Sequence, residues 1–185
     1  GWAEVIQSDF NIGKSDFSLN KSSIVKWNQK LWSIDSLGFN NSEGELWIDT
    51  KEVDPNKNIT NVHLSGVESE LLNYIIRDPD AVLSGQLSLN ATASNSLSSP
   101  ALIANIVYDD FGLNDTYYGR FTSNLQWNDD GHIFSQGQLL NKGESAFNYG
   151  GHYDIEDDEI DIRVSLNDLD ISAATPFLHG VMTNL

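Results

Sequence analysis

A strict alternation of apolar and polar residues, recurring roughly every ten to fifteen residues between clusters of turn formers, constrains this chain more than any other feature. Leu83, Gly85, Leu87, Leu89 and Ala91 fall on one face of an extended segment, and Ser84, Gln86, Ser88 and Asn90 on the other, because successive side chains of a strand point to opposite sides. Ile160, Ile162, Val164 and Leu166 repeat the arrangement, with Asp161, Arg163, Ser165 and Asn167 outward. Turn signals separate such segments at Asn40 to Gly44, Asp54-Pro55-Asn56, Asn128 to Gly131 and Asn141-Lys142-Gly143. The expected fold is all-β, an antiparallel sheet with one apolar and one polar face.

Two segments depart from that rhythm. Val67, Leu71, Leu72 and Ile75 sit at helical spacing within Val67 to Ile76, and Ser65 with Glu68 reads as a capping box. Leu169, Ala173, Ala174 and Phe177 occupy the same phase from Leu169 to Leu178, ahead of a kink at Pro176. Both are expected to be short amphipathic helices that plug the sheet, with Val67, Leu71, Leu72, Ile75, Leu169 and Phe177 facing inward. Sliding the chain on itself by 102 residues places Leu37 on Leu139, Trp47 on Tyr149, Val62 on Val164, Leu64 on Leu166, Val67 on Leu169 and Ile75 on Phe177. The expectation is a repeat architecture: residues 1–95 as one β-groove unit, and 96–185 as a second, truncated at its C-terminus. Units of this kind bury their apolar faces against neighbouring repeats of the same chain.

Composition narrows the function. The chain of 185 residues holds 27 Asp and Glu against 10 Lys and Arg, a net charge of -17; nucleic acid would be repelled. With no cysteine, thiolate chemistry and disulfides are excluded. His63, His132, His152 and His179 are scattered, and no zinc spacing is present; the cluster Asp154 to Glu159 lacks the glycine and terminal Glu of a calcium loop. The acidic runs Asp109-Asp110, Asp129-Asp130 and Asp154 to Glu159 read as a solvated outer rim. No nucleophile elbow, phosphate loop or dinucleotide turn occurs, so the reading is of a protein that is not an enzyme and takes neither metal nor cofactor. Gly1 reads as a cloning remnant and Leu185 as an abrupt stop, the expectation being an excised piece of a longer protein.

An apolar sheet face has to be covered by another sheet, by helices or by a ligand. With few helices to spare, the expectation is an elongated, curved sheet forming an open hydrophobic groove, lined by Leu83, Leu87, Leu89, Ile160, Ile162, Val164 and Leu166. A surface carbohydrate-binding sandwich would instead use Trp2, Trp32 or Trp47 as sugar platforms. The run Gly85-Gln86-Leu87-Ser88-Leu89-Asn90-Ala91-Thr92-Ala93, followed by Ser99-Pro100-Ala101-Leu102-Ile103-Ala104-Asn105-Ile106, resembles the degenerate β-repeats of the TamB family in the AsmA-like group. Leu113 to Gly119, Leu125 to Asn128 and Asp170 to Leu185 are similar to its longer Bacteroidetes members. That resemblance implies a β-taco-like trough in the periplasm, anchored in the inner membrane by another part of the full-length protein. It implies partners too: phospholipid acyl chains carried between the membranes, and a TamA-like outer-membrane protein. A scaffold for outer-membrane protein assembly, receiving client strands by β-augmentation, is the alternative.

Overall fold

The computed structural model of the chain describes residues 1–12, 15–19, 21–27, 31–41, 44–54, 57–77, 81–94, 101–167 and 169. Their strands are β1 (Trp2–Val5), β2 (Asp9–Ile12), β3 (Ser15–Leu19), β4 (Ser23–Trp27), β5 (Trp32–Ile34), β6 (Leu37–Asn40), β7 (Glu45–Asp54), β8 (Lys57–Glu68), β9 (Leu83–Ser94), β10 (Ala101–Leu113), β11 (Thr116–Trp127), β12 (His132–Asn141), β13 (Glu144–Asp154) and β14 (Glu159–Leu166). One helix, α1 (Ser69–Ile76), joins β8 to β9. Eleven strands form a single antiparallel sheet in the order β14-β13-β12-β11-β10-β9-β8-β7-β6-β3-β2, and β1, β4 and β5 form a small second sheet. From β6 to β14 every strand lies beside its chain neighbour, and β9 pairs with β10 along nearly its whole length, so the sheet continues past residues 95–100.

The alternation read from sequence becomes a two-faced sheet because the register is kept from strand to strand. One ladder runs Thr60, Ala93, Leu102, Trp127, Ile133, Tyr153, Ile160. The next runs Ile48, Val62, Ala91, Ala104, Leu125, Ser135, Gly151, Ile162. A third runs Leu46, Leu64, Leu89, Ile106, Ser123, Gly137, Tyr149, Val164, and a fourth Val67, Leu87, Tyr108, Phe121, Leu139, Phe147, Leu166. Directly paired residues share a face, so these four ladders lie on one side and none carries a charged group. Under the 102-residue offset, Val62 and Val164 share the apolar face, as do Leu64 and Leu166. Trp47 and Tyr149 do not: Trp47 pairs with His63 on the polar face, while Tyr149 pairs with Val164.

Beside the fourth ladder the pairing slips in strand after strand: between Leu64 and Val67 of β8, Asp109 and Gly112 of β10, and Leu139 and Leu140 of β12. Gly66, Gly85 and Gly119 take φ of 62°, 110° and 113° along the same line. A bulge adds a residue to one strand and bends it; aligned bulges fold the lower margin of the sheet over the apolar face. Ala81, Leu113, Tyr118 and Leu139 form the buried cluster there, packed by Leu83, Phe111, Phe121, Phe147 and Leu169. At the opposite end β5 lies on β7 and β8: Thr50 Oγ1 accepts the Ile34 amide at 3.1 Å, and Asn58 Nδ2 donates to the Trp32 carbonyl at 3.0 Å.

The helix differs from expectation at its start. β8 continues through Val67 and Glu68, α1 begins at Ser69, and Glu68 is an N-cap without a side-chain capping bond. Ser65 is a strand residue opposite Glu45, and the Glu68 carboxylate instead accepts the Gln86 amide at 2.7 Å. Strand pairing satisfies these backbone groups, so no capping box forms; Val67 is a ladder residue, 4 % exposed, rather than a helical one. Asn73 ties the helix down by donating to the Leu83 carbonyl at 2.7 Å and accepting the Leu83 amide at 2.8 Å. The second expected helix, Leu169 to Leu178, lies outside the described residues except for Leu169.

The bulge line gives a stability test. A Cβ on Gly119 would sit 2.1 Å from the Leu140 carbonyl oxygen, whereas one on Gly143 (φ 87°) would meet nothing within 4 Å. Gly119→Ala is expected to lose about 3 kcal/mol or more and Gly143→Ala only about 1 kcal/mol, read from urea unfolding midpoints.

Candidate functional site

The four apolar ladders make the candidate site. Described elements pack on them only at the margins, α1 against β8 and β9 and β5 against β7 and β8. Between those margins Val62, Leu64, Leu89, Ile106 and Leu125 are half-buried with no second layer over them among the described residues. Exposure rises towards the outer strand, where Ile160, Ile162, Val164 and Leu166 are 63, 57, 56 and 54 % exposed. Pairing in β14 covers one edge of each side chain, and the other edge has no described neighbour.

Aromatic rings line the lower half. Tyr108 meets Phe111 edge-on at 5.1 Å; Phe111 stacks on Tyr118 at 5.8 Å, and Phe121 on Tyr149 at 6.5 Å. Such pairs add roughly 0.5–1.5 kcal/mol each beyond area burial. Burial raises the Tyr108 hydroxyl above its ordinary range, although it shares a short contact with Ser69 Oγ, which also bonds the Gly85 carbonyl. Two serines interrupt the apolar ladders, and Tyr149 neutralises both: its hydroxyl lies 2.6 Å from Ser123 Oγ and 2.9 Å from Ser135 Oγ. The ring crosses β12 over Gly137, where a Cβ would come within 2.4 Å of it. A small apolar hollow of about 110 Å³ opens between Ile133, Tyr149, Tyr153, Ile160 and Ile162, with Gly151 at its floor.

The expected lining residues fall on this face but not in one place. Leu87 and Leu89 are half-buried in its interior, and Ile160, Ile162, Val164 and Leu166 form its outer margin. Leu83 is instead part of the packed lower cluster. Of the expected plug, Val67 is buried in β8, Leu71 and Leu72 are half-buried in α1, and Leu169 packs against the lower cluster. Ile75 belongs to α1, but its side chain, like all of Phe177, lies outside the described residues. Sequence reasoning missed the aromatic belt and Tyr149; the density of Phe and Tyr between Tyr108 and Phe121 was the available signal.

The opposite face is polar. Trp47, His63, Asn90, Asn105, Asn124, Gln136 and Gly150 form one ladder there. Trp2, Trp32 and Trp47 are exposed, Trp47 with its indole N–H on Ser36 Oγ at 3.2 Å. His63 pairs with Asn90 at 2.6 Å, and Arg120 with Asp109 at 3.1 Å. In the β13 to β14 turn, Asp154 accepts the Asp157 and Glu156 amides at 3.2 and 2.9 Å and faces His132 at 3.1 Å. The Asp157 amide foremost, then that of Glu156 and the charges of His132 and His152, holds the Asp154 carboxyl below its ordinary range. Among the described residues no group of three or more His, Asp or Glu could hold a metal ion, and no helix is long and apolar enough to cross a membrane. The chain matches no protein-family model, and neither a curated protein nor a solved structure shows significant similarity to it.

Two outcomes are expected. Tyr149→Phe keeps the ring but leaves the buried Ser123 hydroxyl without its partner, lowering stability by about 1–2 kcal/mol in chemical denaturation. Because the Asp154 carboxyl is depressed on folding, its contribution is complete above the ordinary carboxylate range and is lost as pH falls through the depressed value. In NMR the Glu156 and Asp157 amide shifts should titrate together with a midpoint below that of a free aspartate, and Asp154→Asn should abolish that transition.

Proposed function

We propose that this chain is a segment of a hydrophobic trough that shields phospholipid acyl chains, as its resemblance to the TamB family implies, and that it performs no chemistry of its own. The observation that supports this most is the uncharged apolar face running through four in-register ladders, with its middle uncovered among the described residues. Acyl chains need many weak, non-directional contacts, and burying their methylenes contributes about 0.8 kcal/mol each. On this reading the trough works in the periplasm, next to further repeats of a longer chain and a TamA-like outer-membrane partner. The strand starts of β8 and β14, Lys57 and Glu159, differ by the same 102 residues as the proposed repeat.

A second reading, a scaffold that receives client strands, draws on a specific feature. β14 is the outer strand of the sheet, and beyond its apolar row no described strand pairs with it. Strand addition there depends on backbone pairing, whereas lipid shielding depends on the apolarity of the face.

Native mass spectrometry of the purified chain is expected to reveal bound phospholipid. Leu125→Asp and Ile162→Asp should each abolish it, and exposed Ile162→Asp should do so with a stability change within about 0.5 kcal/mol. A chain free of lipid, or variants that retain it, would overturn the reading. Loss of client binding with a proline in β14, lipid retention being unchanged, would favour the scaffold.

A further inference from the structure

We propose that the polar face of the sheet is a binding surface for a neutral polysaccharide, centred on Asn105, Asn124 and Gln136. These amides come from three consecutive strands and stand side by side across β10, β11 and β12. With Ile103, Gln126 and Phe134 they border a concavity of about 490 Å³, which opens where Gly150 places no side chain next to Gln136.

The chemistry of this surface is unusual for such an acidic chain. Three polar-face ladders end in β13, two of them starting in β8, Asn61 to His152 and His63 to Gly150, and one in β9, Ser88 to Asn148. None contains a carboxylate, although the chain holds 27. Nor do they contain Lys or Arg; in β14 the next residues are Asp161 beside His152 and Arg163 beside Gly150, and these two pair with each other at 3.3 Å, so an anionic polymer meets a neutralised guanidinium and a net charge of -17. Each amide offers both donors and an acceptor, which matches hydroxyl groups that donate and accept in turn. Asn105, Asn124 and Gln136 form no side-chain hydrogen bond to another described residue, so that capacity faces solvent. Phe134 is 45 % exposed and offers its ring to the C–H face of a sugar, with the His132 and His152 rings tilted beside it at 6.3 and 6.1 Å. The amides recur at the strand spacing of about 4.8 Å, on the order of the length of one pyranose ring, so an extended glycan lying across the strands meets one amide per sugar. A peptide ligand would be expected to bury a larger apolar surface than Ile103 and Phe134 supply.

Affinity gel electrophoresis of the whole chain through dextran, laminarin or galactomannan, with alginate as the anionic comparator, tests this. At least one neutral polymer should retard the protein and alginate should not. Asn124→Ala combined with Gln136→Ala should weaken retardation about tenfold or more, with Phe134→Leu weakening it as well. Ile162→Asp, on the other face, should leave it unchanged, and circular dichroism melting checks that each variant is folded. Absence of retardation by all three neutral polymers, equal retardation by alginate, or a folded double variant retarded like wild type would each overturn the proposal.

Discussion

Register is the constraint on which the rest of this structure depends. With a side-chain period of two, sliding any strand by one residue would move its whole apolar set to the other face. From β7 to β14 the pairing avoids that slip across the four ladders, so those ladders on the Leu125 side carry no charge and amides and hydroxyls predominate on the Asn124 side. Where the pairing does slip, it slips along one line, and the strands bend together there. Gly85 and Gly119 are required at that line because a Cβ on either would strike a neighbouring carbonyl oxygen, at 2.5 and 2.1 Å.

That arrangement leaves the fold with apolar surface it does not bury itself. Apolar area left in water forgoes roughly 25 cal/mol per Å², and what offsets this is concentrated at the margins. The aromatic belt and the bulged lower cluster close one side, and the small sheet anchored through Asn58 and Thr50 closes part of the other. Tyr149 adds a different contribution. By bonding Ser123 and Ser135 it removes the two hydroxyls that would otherwise hold water in the middle of the face. A net charge of -17, with the carboxylates of Asp154, Glu156, Asp157, Asp158 and Glu159 gathered around one turn, opposes the approach of a second copy at any face.

How much of this was legible in the sequence follows from the range of the forces involved. The alternations at Leu83 to Ala91 and Ile160 to Leu166 are local and survive intact as β9 and β14. Their placement, interior for Leu89 and margin for Ile162, depends on which strands flank them, and no local pattern carries that. The Ser65 and Glu68 spacing fits a capping box equally well whether or not β9 is near; Gln86 and Glu45, distant in sequence, decided against it. Likewise the 102-residue offset aligns residue types, but Trp47 and Tyr149 fall on opposite faces because β7 and β13 enter their ladders one residue out of phase. The bulge line was invisible for the same reason: glycine at 66, 85 and 119 acquires meaning only once those strands lie next to each other.

The two faces are therefore chemically independent in a way a globular core does not allow. Each strand residue belongs to one side only, so Asn124 and Leu125 answer to different environments although they are adjacent in the chain. A substitution that keeps β-propensity and adds no clash changes one surface without repacking the other, since no interior is shared between them over the middle of the sheet. Changes on the Leu125 side and changes on the Asn124 side can therefore be accommodated separately. The residues that resist such separation are those the backbone itself requires: the glycines of the bulge line, and Gly137 beneath the Tyr149 ring.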